Sequence, residues 1–387
     1  VNTDPIAATR PRNRRQLIVE AAGRVFSKRG YHAASMEEIA TDVGISAAAL
    51  YRHFPNKYAL FAECAHVNAD QLLAAVDELP PGAGLERVLG GVARAAVAHR
   101  ASGGLYRWEA RYLVREDRRL LGVKLGRVVG RVTEAVREEY AVPDPELHAA
   151  AALGAIGSIT MHHVSLTQRR LEEVLVASAL RVCTSDPART VEGPRRTELP
   201  VRPVPRTRRA EILAAAIPLF ARDGFVKVTN GQIAEAVGLA PSALYRHYPT
   251  KVDILVAACL QAAALLSQTV DQGLGEVTDP HDAVLSLAAA YVAYSFEHTE
   301  LTSVAEAEIR GLPADVQQPL ILAQREHVDL WEQQLRAARP ELDPRQARVL
   351  VHAGFGVVVE AGRRLHWQDS VEHRDTVTAL VVAALGV

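Results

Sequence analysis

With 387 residues, a formal charge of −1 and 49% apolar side chains, the chain is long enough to bury two globular cores and too apolar for a disordered polymer. Three cysteines without C-x-x-C spacing exclude a disulfide framework and point to a reducing compartment. The opening VNTDPIAATRPRNRR has no apolar stretch behind its charges, and no apolar run reads as long and charge-free enough to span a bilayer, so a soluble, cytoplasmic protein with no membrane partner is expected.

The first predicted helix lies in RRQLIVEAAGRVFSKRG, where Leu17, Ala21, Ala22, Val25 and Phe26 form one apolar stripe. Lys28 and Arg29 put positive charge at its C-terminal end, and Gly30 ends it. Ser35 and Glu38 have capping-box spacing ahead of a short helix that runs to about Val43. Gly44 supplies a break, Ser46 caps the next helix, and AAALYRHF completes a helix-turn-helix that Pro55 stops. Lys57 starts a fourth helix. Helical segments are expected at 58–79, 85–102, 105–140 and 146–181, interrupted by PPGAG and VPDP. From Thr184 to Thr207 five prolines and scattered charge break any helical stripe, which reads as a partly extended linker.

The chain then starts over. Arg14–Phe61 and Arg208–Leu255 share 18 identities in 48 ungapped positions, at an offset of 194 residues. The pairs Phe26/Phe220, Gly30/Gly224, Ile39/Ile233, Gly44/Gly238 and Lys57/Lys251 all stay in register, which two unrelated alanine-rich helices would not achieve. Thr229 takes the place of Ser35 with Gln232 three residues on, and Pro241 stands early in the helix of PSALYRHY. Pro218 falls inside the first helix of this copy, where a bend and a lost backbone hydrogen bond are expected. Further helical segments are predicted at 252–274, 280–298, 302–338 and 344–365, broken by GLPAD and RPELDP, with a closing helix at 372–385.

Charge follows the repeat. Residues 10–61 carry a net +5 and residues 202–255 a net +4, which leaves −10 for everything else. Positive charge concentrated on two equivalent units suits a polyanion partner.

The stretches GISAAALYRHFPNK (44–57) and GLAPSALYRHYPTK (238–251) resemble the end of the N-terminal domain of the TetR family of bacterial transcriptional regulators, whose pattern is close to G-[VI]-S-x-x-x-L-Y-x-[HY]-F-x-x-K. The resemblance implies an all-α fold with two tandem helix-turn-helix DNA-binding domains, each followed by a helical-bundle regulatory domain. The boundaries expected are 10–61 and 62–183, the Pro/Arg-rich linker 184–207, then 208–255 and 256–387. It implies a sequence-specific regulator of transcription, a repressor released from double-stranded operator DNA by a small apolar or amphipathic effector. The alternative is an architectural DNA-binding protein without an effector.

Under that resemblance Ser35 and Thr229 start the helix that crosses the DNA backbone, and Tyr51, Tyr245, His53, His247, Lys57 and Lys251 are candidate phosphate anchors. Ser46, Ala47, Ala48 and Arg52, with Pro241, Ser242 and Arg246 in the second copy, are candidate base readers. Alanine can meet a thymine methyl; arginine can take guanine in a bidentate contact or hold phosphate. The arms Arg10, Arg12, Arg14, Arg15 and Arg202, Arg206, Arg208, Arg209 either track phosphates and the minor groove or solubilise the surface. A solvated helix face is the competing reading for all these polar groups.

In the helical blocks, LHAAAALGAIGSITMHHVSL and ARVLVHAGFGVVVEAGRRL carry Gly154, Gly157, Gly354 and Gly356, which permit close helix approach. Such helices form the family's dimer interface, so the chain is either a pseudo-dimeric monomer or a homodimer with four readers. Trp108, Tyr112 and Met161, and Tyr291, Tyr294, Phe296 and Trp331, are candidates to line effector cavities, with core packing as the competing explanation. No H-E-x-x-H, G-x-S-x-G, P-loop or dinucleotide fingerprint occurs, and His162, His163, His298 and His327 have no evident ligand partners. Neither catalysis nor a cofactor or metal is therefore expected.

Overall fold

The computed structural model describes residues 14–101, 112–186, 199 and 204–387. Trp108, Arg10, Arg12, Arg202 and most of the expected linker lie outside the described residues. Every regular element among those described is helical. The first half has α1 (Arg14–Arg29), α2 (Met36–Val43), α3 (Ala47–His53), α4 (Lys57–Asp77), α5 (Leu85–Ala98), α6 (Arg115–Glu139), α7 (Pro145–Gly157) and α8 (Gln168–Thr184). The second has α9 (Arg208–Asp223), α10 (Asn230–Ala236), α11 (Pro241–Leu244), α12 (Lys251–Leu274), α13 (Pro280–Glu297), α14 (Thr299–Glu308), α15 (Ala314–Ala338), α16 (Pro344–Arg364) and α17 (Val371–Leu385).

Local signals set the boundaries of the repeated units. The Ser35 hydroxyl accepts from the Glu38 N–H at 3.0 Å and so caps α2, and Gly44 ends that helix in the left-handed conformation at φ 73°. In the second unit Thr229 and Gln232 form both arms of a capping box. The stripe of α1 is rotated from the expected one: Leu17 is 44% exposed, whereas Ile18, Ala22, Val25 and Phe26 are buried. Adjacent helical positions differ by about 100°, so the arc centred on Ile18 and Phe26 turns Leu17 outward. α9 continues through Pro218, whose missing N–H takes one donor from the helix without ending it.

Three apolar cores organise the described residues. One joins Ile18, Phe26, Ile39, Leu50 and Phe61 of the first repeated unit, and a second joins Ile212, Phe220, Ile233, Leu244 and Ile254 of the other. The third holds residues of both halves, among them Val92, Val136, Ala151, Leu175, Trp331, Val351 and Leu380. Its centre is the pairing of α7 with α16, where Gly154 and Gly356 meet so closely that a Cβ on either would run into the carbonyl oxygen of the other. Around this seam Arg364 pairs with Glu146. Arg181 donates to Ala383 O at 3.0 Å and to Ala384 O at 2.8 Å, while Arg339 donates to Leu385 O at 2.7 Å. Carbonyls at the C-terminal end of α17 thus receive guanidinium groups from both halves, the charge that end favours.

The segment expected at 302–338 is divided at GLPAD into α14 and α15; two other expectations about the helical blocks change. The helix expected at 146–181 is divided into α7 and α8, because the Ser158 and Thr160 hydroxyls bond back to Ala155 O and Gly157 O in a 3₁₀ turn and Thr167 caps a fresh helix. The second is the absence of a membrane-length apolar run: α12 meets that length and composition. Its buried residues, from Ile254 to Val270, serve the interior of this fold in the position that α4 holds in the first half.

His162 stacks on His352 across the seam, with ring centroids 4.7 Å apart. Burial, reinforced by His352 and Arg100, depresses the His162 pKa to about 3, and burial lowers that of His327 to about 4. Both folded values lie below the unfolded one. As pH falls beneath about 6.5, the unfolded chain takes up protons that the folded chain refuses, so stability declines until the folded imidazoles titrate. For His162 the loss at pH 5 is expected to be about 2 kcal/mol. Urea midpoints at pH 7 and pH 5 measure it, and His162→Gln should flatten the difference.

Candidate nucleic-acid interface

Each repeated unit turns one face of its third helix to its own core and the other to solvent. On α3, Leu50 and the following Phe54 are buried, whereas Ser46, Ala48, Tyr51 and Arg52 are exposed and Ala47 and His53 are half-buried. On α11 and the turn after it, Leu244 and Tyr248 point inward and Pro241, Ser242, Tyr245 and Arg246 outward, with His247 half-buried. The outward set therefore gathers the reading candidates of each unit on one face. Neither Ser35 nor Thr229 has an idle hydroxyl, since each caps its helix.

The two faces are not copies. Ser46 accepts from the Ala49 N–H at 3.2 Å and starts a seven-residue helix. Ala240 has no oxygen to offer, and α11 spans four residues before Arg246 and His247 donate to Ala243 O and Leu244 O in tighter turns. Asn230 Nδ2 also donates to the Tyr245 hydroxyl at 3.0 Å, whereas the equivalent position in the first unit is Met36.

Several basic residues are engaged within the units. Lys57 Nζ donates to His32 O at 3.1 Å and Ala34 O at 3.0 Å and lies 4.9 Å from the centre of the Tyr31 ring. Lys251 Nζ donates to Phe225 O at 2.8 Å, Val228 O at 2.7 Å and Val226 O at 3.4 Å, which occupies all three ammonium donors. Desolvation holds the Lys251 pKa below the ordinary lysine value. Arg15 reaches His53 O at 3.2 Å and sits 4.3 Å from the Phe54 ring centre; Arg209 repeats this with His247 O and the Tyr248 ring at 4.0 Å. These arginines brace the end of the third helix in each unit, a role that the sequence reading missed although the Arg–Arg pair recurs at the same offset. Substituting Lys251 by methionine is expected to destabilise the second unit by about 1–3 kcal/mol, with the salt dependence of DNA binding unchanged. Thermal unfolding and a salt titration test the two halves of this expectation.

The family described as bacterial regulatory proteins, tetR family, matches residues 18–64 and again 212–258, the same 194-residue offset. The chain holds two tandem TetR-family units. Among curated relatives, the HTH-type transcriptional activator FasR of Mycolicibacterium smegmatis is 43% identical over 67 residues, 17% of this chain and 30% of that protein. The nucleoid occlusion factor SlmA of Photorhabdus laumondii is 37% identical over 70 residues, 18% of this chain and 35% of that protein. The transcriptional repressor AcnR of Corynebacterium glutamicum is 35% identical over 72 residues, 19% and 38% respectively. The chain thus spans about a third of the length of these relatives. A TetR-family regulator from Bordetella parapertussis has a TM-score of 0.44 at 22% identity, covering 46% of this chain and 95% of the other.

Behind the TetR-family units, the six described effector candidates do not converge. Tyr294 donates to Ala262 O at 3.0 Å inside the second unit's core, and Phe296 packs edge-on to Trp367. Trp331 is fully buried beside Tyr291 and Phe355, Met161 packs against the shared core, and Tyr112 lies far from these at the loops of the repeated units. Tyr291 alone of the six lines a cavity of about 480 Å³ between the halves, together with Arg118, Leu121, Thr302, Glu360 and Arg363. A smaller cavity of about 120 Å³ is lined mainly by the first half, among Leu72, Val92, Val128 and Ile156, with Glu360 of the second half on its wall. The second half has the bulkier His327, Trp331 and Phe355 at the positions 199 residues after Val128, Val132 and Ile156, where their rings pack against one another.

Proposed function

We propose that this chain is a sequence-specific, DNA-binding regulator of transcription in which one polypeptide supplies both readers of an operator with two related, non-identical half-sites. The observation that carries this reading is the pair of outward faces, alike in Tyr51-Arg52-His53 and Tyr245-Arg246-His247 but different at Ser46-Ala47-Ala48 and Ala240-Pro241-Ser242. Shared residues suit a common placement on the phosphate backbone, and the differing ones suit part of the base code. The seam between α7 and α16 supports pairing of the halves within a single chain. In this reading the DNA-binding domains are 10–61 and 208–255, the regulatory blocks 62–183 and 256–387, and the protein works where chromosomal DNA is, in the cytoplasm.

The finer reading is a repressor that a small amphipathic effector releases. Its support is the 480 Å³ cavity, within the roughly 300–1,000 Å³ of ordinary ligand sites, which has apolar walls at Leu121, Leu125 and Trp367 and charged groups at Arg118 and Glu360. Ala221 of α9 also lines it, so an occupant bears on the second reader. An effector must favour one placement of the readers, because equal affinity for two placements shifts nothing.

Selection of bound duplexes from a random library, followed by competition with amphipathic metabolites, tests both parts. The expected outcome is a composite site with unlike halves, one chain bound per site, and loss of binding with at least one compound. Equal affinity for random and selected duplexes would sink the regulator reading. Specific binding that no compound alters would favour the architectural alternative.

A further inference from the structure

We propose that Tyr112 and Glu308 form a strut that fixes the spacing and angle of the two reading units, so that this chain selects the separation of half-sites through an internal contact. The proposal rests on the reading of both units as operator readers.

The strut connects equivalent loops. In the first unit, the loop after α1 carries Tyr31, whose ring lies 4.6 Å from Phe61 and 4.9 Å from the Lys57 ammonium. Tyr112 stacks on Tyr31 with centroids 5.7 Å apart and meets His32 edge-on at 4.4 Å. Its hydroxyl donates to Glu308 Oε1 at 3.1 Å, across to the other half of the chain. The same carboxylate oxygen accepts the Phe225 backbone N–H at 3.5 Å, in the loop after α9. Lys251 pins that loop in turn through Phe225 O. A continuous path thus runs from α4 through Tyr31, Tyr112, Glu308 and Phe225 to α12, and each end is tied to a reader.

Neither unit needs this bridge to fold, since each has an apolar core of its own and the halves are already joined at α7 and α16. Its consequence is relative placement. A cavity of about 330 Å³ lies beside it, lined by Phe26, Tyr31, Phe225, Val252 and Leu312, so the two units are not close-packed against each other and have room to shift. Glu308 is 8% exposed. Separating it from Tyr112 strips a partner from a buried carboxylate, which resists the movement.

Spin labels on the free protein test the placement directly. Cys64, Cys183 and Cys259 are buried, so Thr41→Cys and Glu235→Cys, exposed positions at equivalent places in the two units, take the labels. One narrow distance distribution is expected, and Tyr112→Phe, which keeps the ring and removes the hydroxyl, should broaden or shift it. Glu308→Gln keeps an acceptor and should leave the distribution close to the parent's. In a second measurement, duplexes carrying both half-sites at successive separations are compared. Tyr112→Phe is expected to reduce the preference for the best separation by about 3- to 10-fold, the worth of one net hydrogen bond, with affinity for an isolated half-site unchanged. An unaltered distance distribution in Tyr112→Phe overturns the strut. Equal losses on isolated and paired half-sites also overturn it, since they mean damage to a reader. A distribution that responds as expected in a protein without sequence preference overturns the operator reading and leaves the strut as a spacer of the two units.

Discussion

Gly356→Val should loosen the seam between the halves and destabilise the chain by about 2–4 kcal/mol. The reason is geometric: the added Cβ would meet the Gly154 carbonyl, a backbone group that no rotamer change can move, and Ser158 stands behind it. Gly154→Val should act the same way against Gly356 O. The control is Gly126→Ala on α6, where an added Cβ meets nothing within 4 Å. That substitution should be neutral or stabilising by about 0.5–1 kcal/mol, through helix propensity and a less flexible unfolded chain. Urea unfolding of the three variants reads both signs, and a Gly356→Val chain as stable as its parent would mean that the halves do not meet at this seam.

Ala48→Glu and Ser242→Glu, at equivalent exposed positions of the two readers, should each abolish one half of the operator footprint and leave the other. A carboxylate aimed into a groove between phosphates is repelled and leaves its base contact unmade, so binding to the composite site should fall about 100-fold or more, to the level of the surviving half-site. The two variants should protect opposite halves. A homodimer with four readers behaves differently, because two intact copies of one reader remain and select a palindrome of that half-site. Footprinting and reselection with each variant distinguish the arrangements. Retention of the full composite footprint by both would remove α3 and α11 from the interface.

The repeated units were legible in the sequence because their signals are local. Ser35, Gly44, Ser46, Thr229 and Gly238 act on backbone groups within a few residues, and the observed caps and left-handed turns fall where those residues stand. Outward exposure of Arg52, Arg246, Tyr51 and Tyr245 follows from the same helical phase that buries Leu50 and Leu244. Lys57 and Lys251 had no such local signal. Their carbonyl partners lie 23 to 26 residues upstream, and only the docking of the fourth helix against the loop brings them within reach.

The seam and the strut belong wholly to tertiary structure. Gly154 and Gly356 mark helices able to approach closely, but small residues specify closeness and not a partner, so the same pattern serves association within a chain or between chains. Tethering both halves raises their effective concentration, and the matching surfaces of α7 and α16 take up the contact inside one polypeptide. Likewise Tyr112 and Glu308 stand 196 residues apart with no periodicity to link them. The sequence by itself determined the two repeated units and their charge, because those depend on neighbours along the chain. The tertiary structure decided which glycine faces which, how the aromatic residues of the second half cluster, and how the repeated units are joined, because those depend on side chains that meet only after the helices have packed.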